Sequence, residues 1–222
     1  MAIQLKNTLD VSSNGIKVLV YGHAGAGKTT LGATMPAPII ISAEGGLLSI
    51  KDAGLDYIEV NSMDTLMEAF EYVSGPDGHK YASVVLDSIS EIAEVVLVHE
   101  KAVNKDGRAA YGEMAVQMTS IIRAFRDMAG KHVLMTAKVE KAQDESGRIL
   151  YSPSMPGNKV GQSLPYFFDE VLALRVEKDA DGRAQRALMC DSDGIWLAKD
   201  RSGKLDAWEA PDMGAIIQKM ST

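Results

Sequence analysis

Apolar residues along this chain follow two rhythms. Short runs rich in Val, Ile and Leu, bounded by turn residues, recur as IKVLVY at 16–21, PIIIS at 38–42, ASVVLD at 82–87, HVLMTA at 132–137 and DEVLALRV at 169–176. Unbroken apolar runs of this length predict strands buried on both faces. Between them the spacing shifts to that of a helix. In SMDTLMEAFEYV, Leu66, Ala69, Phe70 and Val73 share one helical face, Ser62 is placed to cap the start, and GPDG stops it. Helices are likewise predicted over 88–103 and over 113–129, where Met114, Met118, Ile121, Ile122 and Phe125 recur as core filler. Past Lys138, the turn segments DESG, PSMPGN, KDADG, CDSDG and KDRSG punctuate short strands expected to pair as hairpins. A last helix, MGAIIQKM, follows Asp212 as its cap.

Strand and helix in alternation predict an α/β fold. Its sheet should be mainly parallel, with helices on both faces and a hairpin-rich C-terminal extension, in one domain over 1–222. Ligands of such sheets bind outside the carboxyl ends of the strands. No apolar run reaches the roughly 20 residues that span a bilayer, and the opening MAIQLKNTLDVSSNG lacks the layout of a signal peptide. The expectation is therefore a cytoplasmic protein with no membrane partner. Cys190 is the single cysteine and no Cys/His cluster has zinc spacing, which removes disulfide and structural-zinc roles. With a formal net charge of −7, any nucleic-acid partner has to be met by a local basic patch.

The chemistry begins at YGHAGAGKTT, residues 21–30. Positions 22–29 fit G-x-x-x-x-G-K-[ST] between a predicted buried strand and a predicted helix, the context this motif requires. The backbone N–H groups of Gly22, His23, Ala24, Gly25, Ala26 and Gly27 can turn around phosphate oxygens, and the helix start adds its dipole. Lys28 can reach the β- and γ-phosphates, the Thr29 hydroxyl can ligate Mg²⁺, and Thr30 can donate to the α-phosphate. A magnesium site also asks for a carboxylate at the end of a nearby strand. Asp87 closes ASVVLD and would face the loop if that strand lay beside IKVLV; it would also serve as cap of the following helix. Hydrolysis needs a group that orients or activates water. Ser88, not an acid, follows Asp87. Glu44, at the end of PIIISAEGG, is the alternative if its strand adjoins that of Asp87, and it equally suits the first turn of a helix. Glu91 reads as a solvated or capping acid.

With these residues in place, the chain resembles the RecA-like P-loop ATPases, which carry a phosphate loop, a strand ending in a glutamate and a strand ending in Asp-Ser, as in VVLDS. The likeness covers 16–138 and continues more loosely to the end. It implies ATP and Mg²⁺ as ligands and Glu44 as the base. It also implies a γ-phosphate sensor at the end of HVLMTAK, where Thr136 and Lys138 stand and family members often have Gln or His. AKDRSG resembles the K-x-R turn with which ring ATPases of this type reach an adjacent subunit's nucleotide. That implies Lys199 and Arg201 acting in trans within a homo-oligomer, ring or filament; by spacing alone the segment is a polar hairpin turn.

Two further stretches match in position the loops that line the single-stranded DNA channel of RecA-like recombinases. One is EKAVNKDGRAAYG, with Lys101, Lys105, Arg108 and Tyr111; the other is KAQDESGRILYSPSMPGNK, with Lys141, Arg148, Tyr151 and Lys159. By composition both are ordinary mobile loops. The chain as a whole resembles phage-encoded RecA-like ATPases of the single-strand-annealing group, through AEGG, LDS, PGNKVGQSLPYFFDEVLAL and KDRSG. This implies assembly on single-stranded DNA. The alternative is a nucleotide-gated switch or replication accessory acting on a protein partner, such as a single-strand-binding or replication protein.

Overall fold

The computed structural model describes residues 15–179 and 181–221, without the side chains of Asn158 and Lys159. The first fourteen residues of the opening segment read above lie outside the described residues. In chain order the strands are β1 (Lys17–Gly22), β2 (Pro38–Ser42), β3 (Tyr57–Glu59), β4 (Ser83–Asp87), β5 (His132–Gln143), β6 (Ile149–Pro153), β7 (Glu170–Lys178), β8 (Ala184–Met189), β9 (Lys199–Asp200) and β10 (Trp208–Glu209). The helices are α1 (Lys28–Gly32), α2 (Met63–Ser74), α3 (Ile89–Val103), α4 (Gly107–Arg126), α5 (Asn158–Ser163) and α6 (Met213–Ser221).

All five apolar runs are strands. They join in one sheet of order β10-β8-β7-β1-β5-β4-β2-β3, in which β7, β1, β5, β4, β2 and β3 are parallel. β8 and β9 run antiparallel to β7, and β6 folds back on the outer half of β5. One expectation is corrected: the Asp87 strand does not lie beside β1, because β5 is inserted between them. β3 was missed; at the sheet edge only Ile58 of its three residues is partly buried, between the exposed Tyr57 and Glu59, which leaves no apolar run to read.

Alternation along the strands sends side chains to two cores. Leu19, Tyr21, Ile39, Ile41, Val84 and Leu86 pack with residues of α2, α3 and α4 on one face. Val18, Val20, Ile40 and Val85 pack with α1 and α6 on the other. Fully burying a side chain of this size contributes about 1.5–3 kcal/mol, so the alternation fixes which face each strand-end residue serves. Local signals agree with it. Ser62 and Thr65 form a capping box at the start of α2, and the Asp212 carboxylate accepts from the Ala215 N–H at 3.1 Å at the start of α6. Among the described residues no helix is long and apolar enough to cross a membrane.

Candidate functional site

The carboxyl ends of β1, β5, β4 and β2 lie side by side, and the residues leaving them meet the phosphate loop. Gly22 ends β1 where a Cβ would stand 2.6 Å from the Leu174 carbonyl oxygen of β7, so only glycine fits the close packing of the two strands. Gly27 takes φ +104° as the chain turns into α1. The loop, Thr29, Thr30, Glu44, Ser49, Leu174, Arg186 and Pro211 border a cavity of about 630 Å³. Lys28 is buried, and its ammonium donates to the carbonyls of Gly22 at 3.0 Å and His23 at 3.2 Å. Burial lowers its pKa, an effect opposed by the charges of Glu44 and Asp87.

A polar row faces α1 along one face of the sheet. Asp87 accepts from the Thr29 hydroxyl at 2.6 Å on Oδ2 and from the Thr136 hydroxyl at 2.5 Å on Oδ1. Thr136, on the strand inserted between β1 and β4, thus carries the aspartate across the extra strand width. Next to Asp87 in register is Ser42, whose buried Oγ has no hydrogen-bond partner among the described residues. Hydroxyl, carboxylate and an unsatisfied buried hydroxyl are hard oxygen donors of the kind Mg²⁺ takes, so the residues fit that ion. Asp87 does not cap α3. Ser88 does, accepting from the Glu91 N–H at 3.4 Å.

The same Ser88 hydroxyl donates to Glu44 Oε1 at 2.5 Å. Glu44 sits between β2 and a 3-10 turn at Leu47–Ala53 that has no acid in its first turn, so the helix-start alternative for this residue fails. Its strand does adjoin that of Asp87. Lys138 lies midway along β5, level with Gly22, but its ammonium is paired with Glu91, and its backbone N–H donates to Ser90 Oγ at 2.9 Å.

The KDRSG turn lies elsewhere. β9 pairs with the start of β7, level with Val18, so the turn is at the amino end of β1, roughly 15–20 Å along the strand from the phosphate loop. Asp200 organises it by accepting from Ser202 N–H (2.7 Å), Ser202 Oγ (2.6 Å), Gly203 N–H (3.0 Å) and Leu205 N–H (3.0 Å). Lys199 is corrected from an outward cation to an internal tie: its ammonium donates to the carbonyls of Pro165 at 2.7 Å and Phe168 at 2.6 Å. Arg201 is the exposed cation of the turn, 3.4 Å from Asp169.

Neither expected mobile loop is a loop. In the first, Asn104 and Asp106 are helix caps. Asn104 Nδ2 donates to the Glu100 carbonyl at 3.1 Å and closes α3, and Asp106 accepts from the Arg108 N–H at 2.9 Å and opens α4. Only 104–106 separates the helices, so Lys105 lies in the turn, Arg108 and Tyr111 lie on α4, and Lys101 on α3 places its ammonium 5.2 Å from the Tyr111 ring centroid. The second stretch runs through the β5–β6 hairpin and on to the start of α5. Arg148 is engaged with Asp144 at 3.1 Å across its tip. Tyr151 is not a free stacking platform: its ring lies on Trp196, with centroids 4.3 Å apart. His23 of the phosphate loop meets both rings edge-on. Lys141 is exposed on β5, and the Lys159 side chain lies outside the described residues.

Sequence reading missed Arg186. It stands on β8 opposite Val176, two residues beyond Leu174, and its Nε donates to the Ala26 carbonyl at 3.1 Å. The signal was available, since alternation through RALMC puts Arg186 on the same side as the buried Leu188 and Cys190, the face of α1. The family model for the AAA domain matches residues 14–202. No curated protein matches the chain.

Proposed function

The chain belongs to the AAA-domain family, and from that premise we propose that it is a RecA-like, Mg²⁺-dependent ATPase whose subunits share sites and act on single-stranded DNA. The observation that carries the catalytic part is the convergence of Lys28, the Thr29–Asp87 bond and the Ser88-held Glu44 on one cavity. Lys28 gives up the loop carbonyls for phosphate oxygens, which an ammonium binds more strongly. Thr29 and Asp87 are the residues that would hold a magnesium ion, which when bound would supply positive charge to the phosphate chain. Glu44 takes a proton from, or orients, the attacking water, and Ser88 fixes the carboxylate rotamer for that purpose. Arg201, far from its own subunit's loop and exposed, is suited to a neighbour's nucleotide.

The test is direct. Lys28→Ala should abolish ATP binding, whereas Glu44→Gln should keep binding and lose turnover by about 100-fold or more. Unchanged turnover in Glu44→Gln removes it as the base. For DNA, Lys105, Arg108 and Lys141 are the exposed candidates that make no ion pair or ring contact among the described residues. ATP-loaded protein should bind an oligonucleotide with an affinity that falls steeply with salt and drops in the triple alanine variant. The second reading, a switch acting on a protein partner, is favoured by the engagement of Arg148, Tyr151 and the Lys101–Tyr111 pair within the chain. Absence of oligonucleotide binding at low salt decides for it.

A further inference from the structure

The geometry points to Arg186 as a second cation for the phosphate chain of the bound nucleotide, supplied from β8 of the same subunit. This inference rests on the ATP-binding reading above. Arg186 reaches the loop from outside the motif: its Nε donates to Ala26 O at 3.1 Å, and a Cβ on Gly27 would lie 3.6 Å from that nitrogen. The guanidinium is therefore in van der Waals range of the backbone that turns toward the β-phosphate. Only Nε is used. No partner for Nη1 or Nη2 is found among the described residues, and the side chain borders the same cavity as Lys28 and Glu44.

Charge balance gives the arginine a task. Lys28 faces both Glu44 and Asp87 across the site, and the nearby Lys138 is neutralised by Glu91, which leaves one formal negative charge before a polyanion enters. Arg186 brings that balance to zero. A guanidinium tethered through Nε presents its other two nitrogens as a fork, the geometry that suits paired phosphate oxygens. The anchoring is also economical in entropy, because the hydrogen bond to Ala26 already fixes the end of a long side chain.

A carbonyl clamp and a phosphate ligand make different demands on the side chain, so three variants separate them. Arg186→Gln keeps a hydrogen-bond donor without charge, Arg186→Lys keeps charge without the fork, and Arg186→Ala loses both. Binding of Mg-ATP and Mg-ADP is measured by titration calorimetry, with circular dichroism and melting as controls for folding. The expected result is a loss of about 10- to 100-fold for both nucleotides in Ala and Gln, a smaller loss in Lys, and a shallower salt dependence in Ala than in the unsubstituted protein. Gln binding as tightly as the unsubstituted protein, or Ala within twofold of it, overturns the inference. If the unsubstituted protein binds neither nucleotide, the ATP-binding reading itself fails, an outcome distinct from normal binding that is indifferent to Arg186.

Discussion

Replacing Glu170 by Gln should remove a pH dependence of stability that this carboxyl creates. Glu170 opens β7 fully buried, directly across from Asp200 on β9. Its Oε1 accepts from the Ser202 N–H at 3.3 Å, and its Oε2 has no donor among the described residues. Burial, then the hydrogen bond to and the charge of Asp200, raise its pKa from the ordinary 4.5 to about 8. A proton on Glu170 supplies the missing donor toward Asp200. Between pH 4.5 and 8 the folded protein therefore holds a proton that the unfolded chain has lost, and stability falls as pH rises through that window. Each pH unit of the gap is worth about 1.4 kcal/mol, so the whole amounts to about 5 kcal/mol. Gln at 170 offers the same donor and acceptor without a charge. Urea unfolding of both proteins between pH 5 and 9 should show equal stability at the acid end, with the variant ahead by about 3–5 kcal/mol at the alkaline end. The difference curve cancels other titrating groups, among them His132, lowered by burial, and Lys17, lowered by burial to about 8. A difference that stays flat within about 1 kcal/mol refutes the reasoning.

Other outcomes follow from the site. Ser88→Ala should lower kcat several-fold with nucleotide affinity unchanged, since it frees Glu44 without touching the loop; a change in affinity alone would contradict the positioning role. Asp87→Asn should weaken the dependence on Mg²⁺ while nucleotide binding in the absence of the ion persists, as read by titrating Mn²⁺ against the ADP complex. Mixing Arg201→Ala subunits with Glu44→Gln subunits should restore part of the turnover that each lacks. No gain, with both variants folded, argues against sites shared between subunits.

The parts of this molecule that were legible in the sequence are those where one local rule dominates. Unbroken Val/Ile/Leu runs gave the central strands, and the phosphate loop announced itself through its glycines and flanking elements. Glu44 was legible as an acid just past a strand end, and its bond from Ser88 was not, because residues 44 apart meet only once β2 and β4 are adjacent. The order of the strands was equally hidden. Nothing in ASVVLD says that β5 will be inserted beside β1, and so the contribution of Thr136 to holding Asp87 emerged only from the sheet. The two supposed loops failed for another reason. Asn, Asp and Gly serve as helix caps and hairpin turns as readily as they serve loops, and Asn104, Asp106 and Asp144 are used in those ways. Lys199 and Arg201 look alike in sequence, yet strand pairing turns one inward and leaves the other out.

β5 is two strands in one. Its first half is locked between β1 and β4 and positions Thr136, whereas its second half leaves the sheet and is paired only with β6. At the tip, Asp144 closes the turn through Ser146 and Arg148, using contacts that involve no residue of the nucleotide cavity. Lengthening or replacing 144–147 therefore costs little beyond loop closure, which grows by only about 0.6 kcal/mol for each doubling of length. Grafting is possible there: the outer hairpin is a handle whose sequence can be exchanged while the end of the same strand that carries Thr136 keeps its register.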